Sequence, residues 1–287
     1  MPPLLKAFAA MKVSTPTVQG SYLALTGSGA VTRGLMAGSV PRLAPYRASA
    51  PRAVARALSS TAVGRLPEDE RRWIERVEER RSVLASRREE TRADYADDPE
   101  GLPEWAKPFE NPIPTWGATG MLSIPPLWGR CLHRLVSELE PRSCLELGTA
   151  FGISTAFQAS ALELNGGGRI VTLDAAREWA QIAEEGWESL GLADRIDMRV
   201  GQISETLPAA LEAAAPIEFV FVDAEHQAEP TLAYFEAMLP HLASDAVVVF
   251  DDIGFPRQMR GAWKSIKRHS GVGAAVGLGR MGVVTVP

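Results

Sequence analysis

The chain contains 287 residues with a formal net charge of −5, and 46% of its residues are hydrophobic and 23% charged. This ordinary globular composition excludes a fully disordered, collagenous or coiled-coil chain. Two cysteines, Cys131 and Cys144, are too few for a disulfide scaffold or a four-cysteine zinc cluster, so we expect two reduced core thiols. No stretch approaches the roughly 18 consecutive apolar residues of a membrane-spanning helix, so no membrane association is expected.

Charge is unevenly distributed along the chain. Residues 1–67 contain eight basic residues and no acidic one, whereas residues 68–287 contain 22 basic and 35 acidic residues. Residues 1–64 are rich in Ala, Ser, Gly and Pro and lack a sustained helical or strand period, so we expect a disordered extension or an organellar transit peptide, with a basic arm for nucleic acid as a further alternative. The protein is accordingly expected in the cytoplasm, or in an organelle matrix if this segment is a transit peptide.

Residues 65–126 are predicted to form a helix followed by a loop. Proline and acidic residues from position 67, followed by apolar residues at helical spacing, predict a helix to about Arg92 with a solvated charged face. The stretch from 94 to 126 is rich in proline and aromatic residues and predicts an ordered loop, either a lid over the site or a segment packed on the core. Three side chains of this loop are expected nearest the site: Trp116, Thr119 and Met121.

Helices and strands alternate through the rest of the chain, residues 127–287. Runs such as residues 218–222 are continuously apolar, which is typical of parallel strands covered on both faces. We therefore predict a doubly wound, mostly parallel seven-stranded α/β sheet that ends in an antiparallel hairpin. The predicted strands span 143–148, 169–174, 196–201, 217–223 and 246–251, before a hairpin over 273–286. The predicted helices span 127–138, 153–164, 178–190, 204–214, 229–242 and 258–269.

Ligands of such sheets bind beyond the carboxyl ends of the strands, so binding and catalytic residues are expected at those ends. The first strand runs into a turn, residues 146–154, whose glycines allow close backbone approach and whose following helix offers free amides. The turn has a Gly-x-x-x-Gly spacing and lacks the dinucleotide fingerprint, which disfavours a dinucleotide. Asp174 ends the second strand and could accept both hydroxyls of a ribose, while Gly201 and Gln202 end the third and could meet an adenine edge.

This order of motifs resembles the class I, Rossmann-like S-adenosylmethionine-dependent methyltransferases, and more closely the metal-dependent O-methyltransferases of the catechol and macrolide-sugar types. The resemblance covers about residues 115–287. It implies that the turn surrounds the methionine part of S-adenosylmethionine, that Asp174 holds the ribose, and that Gly201 and Gln202 border the adenine. The cofactor-binding residues implied in this way are Glu146, Gly148, Thr149, Phe151, Gly152, Ser154, Asp174, Gly201, Gln202 and Asp223.

Three acidic residues, Asp223, Asp251 and Asp252, follow the next two strands and should lie close together if the sheet is wound as predicted. Unpaired carboxylates repel one another, and a hard divalent cation with oxygen ligands relieves that repulsion. We predict Mg²⁺, or another divalent cation, at these three residues, where the relatives place metal ligands, although the catechol type carries Asn in place of Asp252. Alternatively, Asp251 or Asp252 caps the following segment or pairs with an arginine such as Arg257.

His226 follows Asp223 by three residues, at the position where the catechol-type enzymes carry a lysine base. An imidazole can accept a hydroxyl proton near neutral pH, so His226 is the candidate general base. Glu225 is the rival base, and for His226 itself a capping or ligand-orienting role is the alternative. The predicted catalytic residues are therefore His226, Glu225 and Asp223.

The predicted function is methyl transfer to a hydroxyl of a small molecule. The acceptor hydroxyl would coordinate the cation, lose its proton to the base and attack the sulfonium methyl group. The acidic balance of the folded part argues against a nucleic acid or polyanion substrate, and a homodimer is expected from the family and the long charged helix. Two other classes stay open: a metal-dependent oxygenase resembling the cephalosporin hydroxylases, although the chain lacks a two-His facial triad, and a non-catalytic cofactor-binding or assembly protein.

Overall fold

The structure is a computed structural model that describes residues 29–46, 48–92 and 112–287. The helices of these ranges are α1 (Gly29–Leu43), α2 (Ser49–Val63), α3 (Glu68–Ser86), α4 (Thr115–Leu122), α5 (Pro126–Leu139), α6 (Ile153–Leu164), α7 (Arg177–Leu190), α8 (Ile203–Ala214), α9 (Ala228–Met238) and α10 (Arg257–Ile266). The strands are β1 (Glu90–Thr91), β2 (Ile113–Pro114), β3 (Ser143–Leu147), β4 (Arg169–Asp174), β5 (Ile196–Val200), β6 (Ile217–Val222), β7 (Leu242–Phe250), β8 (Ala274–Gly277) and β9 (Gly282–Thr285). Short 3₁₀ turns occupy Ala193–Arg195 and Leu239–His241.

A seven-stranded sheet forms the centre of the molecule, with the strand order β5-β4-β3-β6-β7-β9-β8. Strands β3 to β7 are parallel to their neighbours, and β9 and β8 are antiparallel. Successive strand residues enter different core clusters, as with Cys144 on one face and Leu145 on the other. The predicted doubly wound α/β sheet with a C-terminal hairpin is thereby confirmed.

The largest boundary difference in this sheet precedes β7. The sequence predicts a helix over 229–242, but α9 ends at Met238 and a 3₁₀ turn follows. Pro240 lacks a backbone N–H, which removes one α-helical hydrogen bond and favours the end of the helix at this point. Strand β7 begins at Leu242, before its predicted start at 246, and α10 ends at Ile266, before its predicted end at 269. Cys131 and Cys144 are free and buried as predicted. None of the helices within the described ranges is long and apolar enough to cross a membrane.

The N-terminal segment differs from the prediction. Residues 1–64 were expected to be a disordered or targeting extension, but α1 and α2 are helical and contribute buried side chains to the core, among them Val54, Ala57 and Leu58. Several positions on the buried face of α2 are alanines, and a search for large periodic side chains misses such a helix. Residues 1–28 lie outside the described residues, so the transit-peptide alternative stays a prediction.

Helix α3 docks on the domain through its buried apolar residues Ile74, Val77 and Leu84. Two of its arginines add hydrogen bonds: Arg76 donates to the carbonyl of Leu190 at 2.7 Å, and Arg80 donates to that of Ile182 at 2.9 Å. Arg80 is buried, so the expectation of a solvated charged face is wrong for that residue, whereas Arg76 is exposed. The helix also ends at Ser86, before the predicted end near Arg92.

Replacing Arg134 by alanine is expected to destabilise the fold by about 3 to 5 kcal/mol, because a buried partner would be left without its counter-charge. Arg134 is buried on α5, forms ion pairs with Glu70 and Glu138, and donates its Nε to Ser60 Oγ at 2.9 Å. Urea unfolding measures the effect. Arg71→Ala, which breaks an exposed pair on α3, should leave the midpoint nearly unchanged; equal midpoints for both variants would contradict the account.

The predicted loop 94–126 contains regular structure where it is described. Strand β2 pairs with β1, and α4 follows directly. The stretch between Pro114 and Pro125 has no proline, which leaves its backbone N–H groups available for a helix. Residues 93–111, with the loop aromatics Trp105 and Phe109, lie outside the described residues.

The three residues predicted nearest the site all lie on α4. Trp116 is 37% exposed, whereas Thr119 is buried and donates its hydroxyl to the carbonyl of Thr115 at 2.8 Å. Met121 packs against the core cluster. Thr119 is thus engaged inside its own helix, and a lid role for Trp116 and Met121 stays a prediction.

Candidate active site

The carboxyl ends of β3, β6 and β7 meet at one edge of the sheet. Backbone hydrogen bonds continue past the strands: Asp223 N–H donates to the carbonyl of Leu147 at 2.8 Å, and Asp251 N–H donates to that of Val222 at 2.9 Å. The residues that follow these three strands are therefore close neighbours. The sequence-predicted turn and acidic residues occupy this edge.

The turn after β3 is shaped by close backbone contacts. Gly148 has φ +94°, and a Cβ at this position would lie 2.1 Å from the carbonyl oxygen of Asp223. Gly152 has φ +71°, and a Cβ there would lie 2.6 Å from Trp187 Nε1, which donates to the Gly152 carbonyl at 3.0 Å. Both positions require glycine. Helix α6 begins after Gly152 without a side-chain cap, so its first amides can serve a ligand.

Asp174 holds the turn through its carboxylate. Oδ2 accepts the backbone N–H groups of Thr149 at 3.0 Å and Ala150 at 2.7 Å, and Oδ1 accepts that of Ala176 at 2.9 Å. Burial raises the pKa of the Asp174 carboxyl, and these hydrogen bonds oppose the rise. The structure thus shows a turn-organising role, and the predicted ribose contact stays a prediction.

Glu146 lies fully buried beneath the same turn. Oε2 accepts the hydroxyls of Thr155 and, at 2.7 Å, of Thr172, while Oε1 accepts Gln158 Nε2 at 2.7 Å. Burial raises the pKa of Glu146 to about 7 against these hydrogen bonds, which lower it. The side chain supports the turn from inside the protein.

Replacing Glu146 by glutamine is expected to change how stability depends on pH. The folded-state pKa of about 7 exceeds the ordinary value of 4.5, so the native state binds more protons between these pH values and loses stability as pH rises through them. Glutamine removes this loss. Between pH 4.5 and pH 8 the free energy of unfolding of the variant should therefore rise by about 3 kcal/mol relative to that of the wild type. Urea unfolding at each pH measures it; parallel curves for the two proteins would contradict the expectation.

The other predicted cofactor-binding residues lie at the same edge with unequal exposure. Thr149, Phe151 and Ser154 have buried side chains. Gly201 and Gln202 are half-buried at the end of β5, and Gly201 N–H donates to the carbonyl of Asp174 at 2.9 Å. Phe151 belongs to the core cluster, so it can shape the turn but offers little surface to a ligand.

The acidic residues are joined by an arginine that the sequence reasoning missed. Arg280 donates Nε to Asp251 Oδ1 at 2.8 Å and Nη2 to Asp251 Oδ2 at 2.6 Å. Its Nε also lies 3.6 Å from Asp252 Oδ1. An arginine partner was anticipated as an alternative, but at Arg257. The antiparallel register of Phe250 opposite Gly282 places the β8–β9 turn level with the residues after β7, and this could have identified Arg280.

The predicted Mg²⁺ site does not fit the side chains as they are arranged. Within the described ranges, no group of three His, Cys, Asp or Glu side chains could hold a metal ion. Three carboxylates are suitable donors for Mg²⁺, but both oxygens of Asp251 accept hydrogen bonds from Arg280. Burial, followed by the nearby Asp251, raises the pKa of Asp223 well above its usual range. Mg²⁺ at Asp223, Asp251 and Asp252 stays a prediction.

The two candidate bases differ in their surroundings. His226 Nε2 lies 3.8 Å from Asp223 Oδ1, and its Nδ1 lies 3.9 Å from Asp252 Oδ2. Glu225 instead accepts a hydrogen bond from the hydroxyl of Tyr234. This hydrogen bond occupies one oxygen of the Glu225 carboxylate. The geometry therefore favours His226, whose positive form would lie between two carboxylates.

Residues 145–253 match a protein family described as a methyltransferase domain. A catechol O-methyltransferase from Niastella koreensis is 31% identical over 133 residues, which cover 46% of this chain and 58% of that protein. The structure is similar to the S-adenosylhomocysteine-bound O-methyltransferase of Bacillus cereus, with 27% identity, a TM-score of 0.51 and coverage of 59% of this chain and 86% of that one. It is also similar to TomG from Streptomyces achromogenes with S-adenosylmethionine bound, with 27% identity, a TM-score of 0.50 and coverage of 57% and 82%.

The family match covers only part of the chain, residues 145–253. The chain spans a little over half the length of the curated relatives it matches. The matched residues 145–253 contain the turn after β3, Asp174, His226 and the acidic cluster formed by Asp223, Asp251 and Asp252. Arg280 lies outside this range.

Proposed function

We propose that the chain transfers a methyl group from S-adenosylmethionine to a hydroxyl of a small molecule, because residues 145–253 match a family described as a methyltransferase domain and the structure is similar to an S-adenosylhomocysteine-bound O-methyltransferase. The observation that carries the proposal is the close contact of Gly148 with the backbone of Asp223. It makes the glycine turn and the cluster around His226 adjacent walls of one site. The relatives named above are O-methyltransferases, which supports oxygen as the acceptor atom and argues against the oxygenase alternative.

The residues of the turn fit the proposed cofactor. Gly148 lets the backbone of Asp223 approach the turn, and the uncapped start of α6 presents backbone amides. We assign the methionine part to this turn, the ribose to Asp174, and the adenine to the end of β5 at Gly201 and Gln202. When bound, S-adenosylmethionine would supply an electrophilic methyl group.

The chain's own contribution to the reaction is proton removal and charge placement. His226 accepts the proton of the acceptor hydroxyl, and Asp223 and Asp252, which lie 3.8 and 3.9 Å from its ring nitrogens, stabilise the resulting imidazolium. Glu225 is held by Tyr234 and stays the second candidate. Mg²⁺ dependence, predicted from the sequence, is supported by the gathering of three carboxylates and opposed by the pairing of Asp251 with Arg280, so no step is assigned to a metal.

The identity of the acceptor and the assembly state are further proposals. A phenol is one candidate acceptor, because two of the curated relatives are catechol O-methyltransferases. A homodimer stays a prediction, which light scattering of the purified chain measures.

Transfer of a tritiated methyl group from S-adenosylmethionine tests the proposal. The full chain is incubated with catechol, monophenols and sugar alcohols in separate reactions. We expect at least one compound to carry the labelled methyl group on a hydroxyl oxygen. S-adenosylhomocysteine should form in an equal molar amount. Binding of S-adenosylmethionine without transfer to any hydroxyl in an extended panel would favour the non-catalytic alternative.

A further inference from the structure

Arg280 lies in the turn between β8 and β9 and holds the loop after β7 at two points. Its carbonyl oxygen accepts the N–H of Ile253 at 2.9 Å. Its guanidinium donates to both oxygens of Asp251 at 2.6 to 2.9 Å. The C-terminal hairpin therefore fixes the position of the acidic loop through both backbone and side chain.

The charges around Arg280 explain why it stays in this buried position. Asp251 is fully buried, and the neighbouring Asp252 and Asp223 also act on the guanidinium. A guanidinium is permanently charged and its planar fork matches a carboxylate, which makes the paired geometry strong. These carboxylates raise the pKa of Arg280 further, although burial opposes them. Arg280 thus provides a fixed positive charge inside the acidic cluster.

This pairing conflicts with a three-carboxylate metal site. A divalent cation at Asp251 would need an oxygen lone pair that is directed at the cation. Asp251 Oδ1 already accepts Arg280 Nε and the N–H of Asp252 at 2.8 Å each, and Oδ2 accepts Nη2 and Nε of Arg280. A cation and the guanidinium would also repel each other at this distance.

We propose that Arg280 is a resident counter-ion that occupies Asp251 in place of a divalent cation and keeps a latent three-carboxylate metal site closed. The inference rests on the proposed function, because it concerns charge beside the reacting hydroxyl. Arg280 acts through Asp251 and is a positioning residue. Removing its charge while keeping the backbone contact to Ile253 should open the site to a metal ion.

Mn²⁺ titration of the full chain, followed by electron paramagnetic resonance, tests this proposal without cofactor or acceptor. The wild type should leave the free Mn²⁺ signal unchanged through the submillimolar range. Arg280→Gln should bind one Mn²⁺ per chain at least about tenfold more tightly than the wild type, and adding Asp251→Asn should abolish the binding. Arg195→Gln, which removes an arginine paired with Glu163 at the surface, is the matched control and should behave as the wild type.

Two results would overturn the proposal. One is tight Mn²⁺ binding by the wild type that Asp251→Asn removes and Arg280→Gln does not strengthen. The other is a folded Arg280→Gln protein, judged by circular dichroism, that binds no Mn²⁺. If Arg280→Gln does not fold, Arg280→Met replaces it with the same criteria, because methionine also removes the positive charge that repels a cation. Binding of S-adenosylmethionine, measured separately, reports on the proposed function independently.

Discussion

Replacing Gly148 by alanine is expected to abolish S-adenosylmethionine binding and to cost on the order of 3 kcal/mol or more in stability. The new Cβ would lie 2.1 Å from the carbonyl oxygen of Asp223 and 2.8 Å from its carbonyl carbon. Both atoms belong to the backbone, so no side-chain rotation relieves the overlap. The positive φ of +94° adds strain of its own. Either the turn or the end of β6, with Asp223 beside His226, must move.

Gly191 provides the matched control for this variant. It also has a positive φ, +74°, but a Cβ there meets nothing within 4 Å. Gly191→Ala should therefore lose about 1 kcal/mol from backbone strain alone and keep its affinity for the cofactor. Urea unfolding and fluorescence titration with S-adenosylmethionine compare the two variants. Unchanged cofactor affinity in Gly148→Ala would show that the turn is not part of the cofactor site.

Replacing His226 by alanine is expected to lower the rate of methyl transfer by about 10² to 10⁴-fold, the usual contribution of a positioned general base. Cofactor affinity should change much less than the rate, because the ring nitrogens of His226 lie 3.8 and 3.9 Å from the carboxylates of Asp223 and Asp252. Added imidazole should restore part of the lost rate, since a small base can occupy the vacated space. Initial rates with the acceptor identified in the methyl-transfer screen provide the measurement.

Glu225→Gln separates the two candidate bases. The amide retains an oxygen that can accept the Tyr234 hydroxyl, so the local structure should persist. We expect less than about a tenfold loss of rate, far smaller than for His226→Ala. A larger loss in Glu225→Gln than in His226→Ala, without rescue by imidazole, would assign the base to Glu225.

The central sheet and the glycine turn could be predicted because their determinants are local in sequence. Continuous apolar strands specify parallel pairing, and the predicted bounds of α6 and β4 coincide with those observed. Asp223 and Asp251 were expected to be neighbours because the ends of adjacent parallel strands meet at one edge. The parallel register of β6 and β7 bears this out.

The remaining features depend on contacts between residues distant in sequence. Arg280 lies 29 residues from Asp251, and nothing in the hairpin sequence itself specifies that partner. Asp174 is occupied by backbone N–H groups of the turn, and a sequence motif does not reveal such donors. Helix α2 was missed for a different reason, since its buried face, although at helical spacing, contains several small side chains such as Ala57.

Calorimetric titration of the wild-type chain with S-adenosylhomocysteine tests most directly whether this fold binds the proposed cofactor. We expect saturable binding of one molecule per chain. Bound S-adenosylhomocysteine should also slow hydrogen exchange at the backbone amides of residues 148–155. Absence of any saturable heat, in a chain that is folded by circular dichroism, would contradict the assignment of the turn after β3 as a cofactor site.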